Sequence, residues 1–149
     1  MEKTKLHSHL EAAGAEILVV GNLLIRGIEC YKAYTNYPDY DLTAINQEKT
    51  KAITIQVKSR WATNRAGNFP IKSLECDFVV HVALNRGIRK ARETISNEAQ
   101  QPDFYIFPIK VIEKYRSQSN KVNIKNIPDY DKYLNNWELI EKLLQANKV

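Results

Sequence analysis

The stretch YDLTAINQEKTKAITIQVKSR, residues 40–60, decides the fold. Two arms rich in β-branched residues, LTAI and AITIQV, flank the polar tetrapeptide QEKT at 47–50, which is the pattern of a β-hairpin. A turn centred there pairs Ile45 with Ala52, Thr43 with Thr54 and Asp41 with Gln56. Successive side chains on a strand point to opposite faces, so Leu42, Ala44, Ile53, Ile55 and Val57 share one side while Asp41, Gln56 and Lys58 share the other. A slip of one residue would push the Asp41 carboxylate unpaired into the apolar layer, and that cost enforces the register.

Outward from the hairpin, the chain of 149 residues is of the usual size for one domain, and no repeat or Pro/Gly/Ser-rich linker divides it. A single domain over 1–149 is expected. Its formal charge of +5 favours polyanions as partners without naming one. Cys30 and Cys76 lie among apolar residues with no paired spacing, as reduced core residues do. The N-terminal residues lack the apolar core of a signal peptide, and the run Ile17–Val20 is too short to span a bilayer, so a cytoplasmic protein with no membrane partner is expected.

Residues 6–26 carry Leu10, Ala13, Ile17, Val20 and Leu24 at helical spacing, with Gly27 placed to end a long helix. The runs IECYKAYT, YDLTAI, AITIQVKS, DFVVHVAL and DFYIFPI predict five strands, and VIEKYRSQ and NWELIEKLLQ predict closing helices. The polar segment RGIRKARETISNEAQQ fits a helix or an ordered loop. These elements describe an α/β fold, a mixed central β-sheet of about five strands flanked by helices.

The polar face of the hairpin carries its own chemistry. Asp41 and the Gln56 amide oxygen are hard ligands suited to Mg²⁺ or Mn²⁺, and Lys58 on the same face is suited to a phosphate or an attacking water. The same residues also suit an ordinary polar sheet face with a cross-strand ion pair. The order of parts adds to this: a glutamate-bearing helix, a strand, PDYDL at 38–42, then Gln56, Val57 and Lys58. In this the chain resembles the PD-(D/E)XK, or restriction-endonuclease-like, nuclease superfamily, in a glutamine variant similar to small bacterial homing endonucleases and Holliday junction resolvases.

The resemblance implies catalytic roles for Asp41, Gln56, Lys58 and a helix glutamate. It implies metal ligation by Asp41, Gln56, the Val57 carbonyl and that glutamate. Asp41 is preferred to Asp39 because it directly precedes the apolar strand and faces Gln56. Glu16, set before the apolar run of the helix, is preferred to Glu11. Gln56 departs from the acidic residue usual at its place and leaves a less anionic site.

The implied activity is Mg²⁺- or Mn²⁺-dependent hydrolysis of double-stranded DNA by a homodimer or homotetramer. A junction resolvase and an inactive nucleic-acid-binding domain of the same fold are the alternatives. Arg60, Arg65 and Lys72, in a segment expected to be a long loop, and Arg86, Arg89, Lys90 and Arg92 beyond it, are candidates for contacts with DNA. His7 and His9 read as solvated and His81 as a sheet residue. The tyrosines around 31–40, with Tyr130, Tyr133 and Trp137, suit packing better than base stacking.

Overall fold

The computed structural model describes residues 7–33, 39–63, 67–87, 89–90, 94–95 and 99–145. Helix α1 (Ser8–Ile25) stops where predicted. Gly27 takes φ +79°, and the Ile28 and Gly27 amides donate to the Leu23 and Leu24 carbonyls, each at 3.0 Å. This left-handed closure satisfies carbonyls that the helix leaves free.

Strands β1 (Glu29–Lys32), β2 (Leu42–Ile45), β3 (Ala52–Arg60), β4 (Asn68–Pro70), β5 (Phe78–Ala83), β6 (Arg89–Lys90), β7 (Thr94–Ile95), β8 (Asp103–Pro108) and β9 (Lys121–Asn123) accompany helices α2 (Ile109–Tyr115) and α3 (Glu138–Gln145). The central sheet runs β1-β2-β3-β5-β8. Its β3–β5 pair is parallel and the others are antiparallel. This is the mixed five-stranded α/β sheet that the sequence implies.

The hairpin register is also as read: Leu42 pairs with Ile55, Thr43 with Thr54, Ala44 with Ile53 and Ile45 with Ala52. Asn46 sets the turn, since its Oδ1 accepts from the Thr50 and Lys51 amides, each at 2.9 Å. Lys49 takes the positive φ of 56° that the turn requires. At the other end, Asp77 ties β5 to the hairpin by accepting the Thr54 amide at 2.8 Å.

Two cores sandwich the sheet. On one face Ala15, Val19 and Leu23 of α1 pack with Leu42, Ala44, Ile53, Ile55, Val80 and Ile106, and α3 adds Ile140 and Leu144. Each Val, Leu or Ile among them, taken fully from water, contributes about 1.5–3 kcal/mol. By length and composition alone α1 is apolar enough to cross a bilayer, yet one side of it is spent on this core.

The other face is not simply polar. Val79 and Phe107 meet Phe69, Ile71, Ile112, Val122, Ile124 and Tyr133, which the paired ribbon β4·β9 and α2 hold over the sheet. One expectation is corrected here. Ser59 and Arg60 extend β3, and Asn68–Pro70 forms a strand, so the segment 59–73 is not one long loop. The polar segment after β5, expected as a helix or an ordered loop, holds the small antiparallel pair β6·β7 among its described residues.

Candidate active site

Asp41 stands just before β2, and its carboxylate finishes what the backbone ladder begins. Its amide donates to the Ile55 carbonyl at 2.9 Å, and its Oδ2 accepts the Val57 amide at 2.7 Å. A carboxylate taking a main-chain N–H at that distance makes a charge-assisted bond. Asp41 is thereby fixed against the main chain on both sides of Gln56.

Gln56 points to the same side as Val79, its partner in β5. It is 8 % exposed, and its Oε1 is buried with no hydrogen-bond partner. A buried amide oxygen left unpaired costs about 1–3 kcal/mol, so its retention marks a place where stability is given up. The atom is a neutral oxygen donor of the kind a hard divalent cation accepts. Beside an anchored aspartate, the donor set fits such an ion, although no group of three or more His, Cys, Asp or Glu residues able to hold a metal occurs among the described residues.

Lys58 is partly buried two residues further along β3. Burial lowers its pKa from the ordinary value, while the charge of Asp41, and after it Cys76, acts in the opposite sense. The ammonium therefore lies within electrostatic reach of the aspartate. Cys76 is a free, buried thiol whose pKa is pushed up to about 11, first by burial and then by Asp77, with Asp41 and Asp39 adding to the rise. It belongs to the site's inner wall, a placement that its apolar neighbours in sequence did not signal.

The helix carboxylates separate clearly. Glu16 is held by Lys32 of β1 at 3.0 Å. Glu11 lies four residues before Ala15 and so heads the buried stripe of α1. Its Oε1 accepts from the Ser59 hydroxyl at 3.2 Å, on the α1 face of β3 and one residue along the strand from Lys58. Of the two, Glu11 is the one brought to β3. Val57 turns its side chain to the α1 core and gives its amide to Asp41.

The basic residues are dispersed. Arg60 donates to the Asn68 carbonyl at 3.1 Å and so helps fix the start of β4. Lys72 and Arg86 are exposed, the Lys72 carbonyl accepting from Arg116 at 3.0 Å. Arg89 and Lys90 form β6, with their side chains outside the described residues, and Arg65 and Arg92 lie wholly outside them. His81, opposite Lys58 in β5, is 1 % exposed and has no partner for either ring nitrogen. Its ring stacks on Phe69 with centroids 5.3 Å apart, and burial, followed by the charge of Arg60, lowers its pKa to about 4. Tyr130 and Tyr133 pack on Tyr105 and Phe107, as the packing reading expects.

The family model described as PD-(D/E)XK endonuclease matches residues 6–139. Among solved structures, a bacterial homing endonuclease superposes with a TM-score of 0.67 at 20% identity, covering 97% of this chain and 99% of its own. A Holliday junction resolvase from the archaeal hyperthermophile Archaeoglobus fulgidus gives a TM-score of 0.48 at 16% identity, over 78% of this chain and 87% of its own. No curated protein matches the chain. The first superposition bears on the fold alone. With a family model spanning nearly all of the chain, from the start of α1 through the hairpin to the edge of α3, the protein belongs to the PD-(D/E)XK endonuclease family.

Proposed function

We propose that this chain is a metal-dependent endonuclease that hydrolyses phosphodiester bonds in double-stranded DNA, with Mg²⁺ or Mn²⁺ as cofactor. The observation that carries the reading is the buried, unpartnered Gln56 Oε1 beside the anchored carboxylate of Asp41. Asp41 and Gln56 would hold the cation, with Glu11 at the edge of the site. Glu16 takes no part in this reading because Lys32 already neutralises it. A bound divalent ion supplies positive charge to a phosphate and acidifies a coordinated water.

The protein's own groups do the rest. Asp41 is held still by the Val57 amide, so its geometry is set before substrate arrives. Lys58 presents an ammonium where negative charge develops on the phosphate, and its partial burial strengthens that field. Exposed Lys72 and Arg86 suit the phosphate backbone of a duplex. Cleavage of both strands calls for two sites, and therefore for at least two copies of the chain.

Supercoiled plasmid tests this reading. With Mg²⁺ or Mn²⁺ the protein converts it to nicked or linear forms, whereas chelator or Lys58→Ala prevents the conversion. Plasmid left supercoiled across both metals and a range of sequences removes the catalytic reading and leaves a binding domain.

A further inference from the structure

Helix α1 is apolar on two opposite sides. Its buried stripe, Ala15, Val19 and Leu23, packs on the sheet. At 100° per residue, Leu10, Ile17 and Leu24 fall on the opposite side at heptad spacing, and they are 52 %, 61 % and 50 % exposed. Leu18 and Ile25, one step round the helix, are 37 % and 81 % exposed. Gly14 and Gly21 lie between these rows, and a side chain added at either would meet nothing within 4 Å.

We propose that this outward face of α1 is the surface on which a second copy of the chain docks, helix against antiparallel helix about a two-fold axis. The pattern itself names the occupant. Along the stripe the order is Leu10, Gly14, Ile17, Gly21, Leu24, which alternates large with absent side chains and reads the same in both directions. Reversed about a two-fold axis set between Gly14 and Ile17, a copy of the same helix places Ile17 over the Gly14 notch and Leu10 over the Gly21 notch of the first, the self-complementarity that an isologous contact requires.

The area agrees with this. The five large side chains expose on the order of 500 Å² of apolar surface, more than half of the ~800 Å² that each partner contributes to a standard interface. No ionised side chain lies in the arc, because Glu11 and Glu16 flank it and are engaged by Ser59 and Lys32. The surface faces away from the sheet, so docking leaves Gln56 and Lys58 uncovered. It holds whether or not the chain cleaves DNA.

Sedimentation and light scattering of the full chain, over low to high micromolar concentration, test the proposal. The wild type is expected at twice 17.2 kDa. Ile17→Glu is expected at the monomer mass with an unchanged helical spectrum, its dissociation constant raised about a hundredfold or more by an unpaired buried carboxylate. Gly14→Leu/Gly21→Leu fills both notches where the monomer has room for it, and is expected to fold and to dimerise at least about tenfold more weakly. A monomeric wild type, or an Ile17→Glu protein as dimeric as the wild type, overturns the proposal. So does a monomeric wild type that binds neutral lipid vesicles through Ile17, which would give the face to a membrane, or a glycine double variant that dimerises as well as the wild type.

Discussion

Replacing Gln56 with Leu is expected to make the metal-free protein more stable while removing its response to metal. The Gln56 amide oxygen is buried and unpaired, and such a group carries a penalty of about 1–3 kcal/mol. Leucine has nearly the same volume and no polar atom, and Val79, Phe107 and the ribbon above them already line an apolar space. The α1 face of the hairpin is untouched. A gain of about 2 kcal/mol corresponds to roughly 4–8 °C in Tm for a chain of this size.

Thermal and urea unfolding in EDTA read that gain directly. Adding Mn²⁺ at about a hundred times its Kd should raise the wild type by about 2.7 kcal/mol and the Leu variant far less, so the order of stabilities narrows or reverses. Gln56→Glu, by contrast, buries a second carboxylate near Asp41 and should lose stability in EDTA and recover it with metal. A Leu variant less stable than the wild type in EDTA, or equal metal responses in all three proteins, would refute the assignment of Gln56 as a donor held ready for a cation.

Other outcomes follow from the same geometry. Lys58→Ala should keep the fold and most DNA affinity while plasmid cleavage drops by at least about a hundredfold; cleavage at the wild-type rate would take Lys58 out of the mechanism. The buried His81, held at about 4 against an ordinary 6.5, is protonated in the unfolded chain before the folded one. Stability is therefore complete above pH 6.5 and falls by about 3 kcal/mol as pH drops to about 4. His81→Leu should flatten urea-unfolding profiles across that window, and equal acid sensitivity would count against the burial argument. Lys72→Ala/Arg86→Ala should weaken DNA binding and make its dependence on log salt shallower by about two phosphate contacts, so an unchanged slope removes both residues from the interface. Ile55→Ala, at a fully buried position, should cost about 2–5 kcal/mol, read from the urea midpoint.

The hairpin was legible because two local constraints agree: Asn46 and Lys49 make the turn, and alternation fixes which residues meet α1. The end of α1 was legible at Gly27 for a similar reason. What could not be read is instructive. Helix α1 is apolar on two opposite sides, so its periodicity does not say which of them meets the sheet, nor which element Glu11 and Glu16 each reach. Only the packing of Ala15, Val19 and Leu23 on the sheet brings Glu11 to Ser59 and Glu16 to Lys32. The ribbon β4·β9 pairs Phe69 with Val122, a contact between distant segments with no local signature, and it turns the polar face of β3 into the floor of a second core. The burial of His81 and the placement of Cys76 follow from that ribbon and were hidden with it.

Strand β3 thus assigns fold and chemistry to alternate positions. Randomising Lys58 while holding Ile53, Ile55 and Val57 would yield a library in which the apolar face that folds the strand stays constant, so one screen could separate folded, inert variants from misfolded ones. On the function proposed above, the inert members would keep the surface that meets DNA but not the means to cut it. On that reading such a chain would be a reagent for occupying a site on DNA, with the architecture left as it stands.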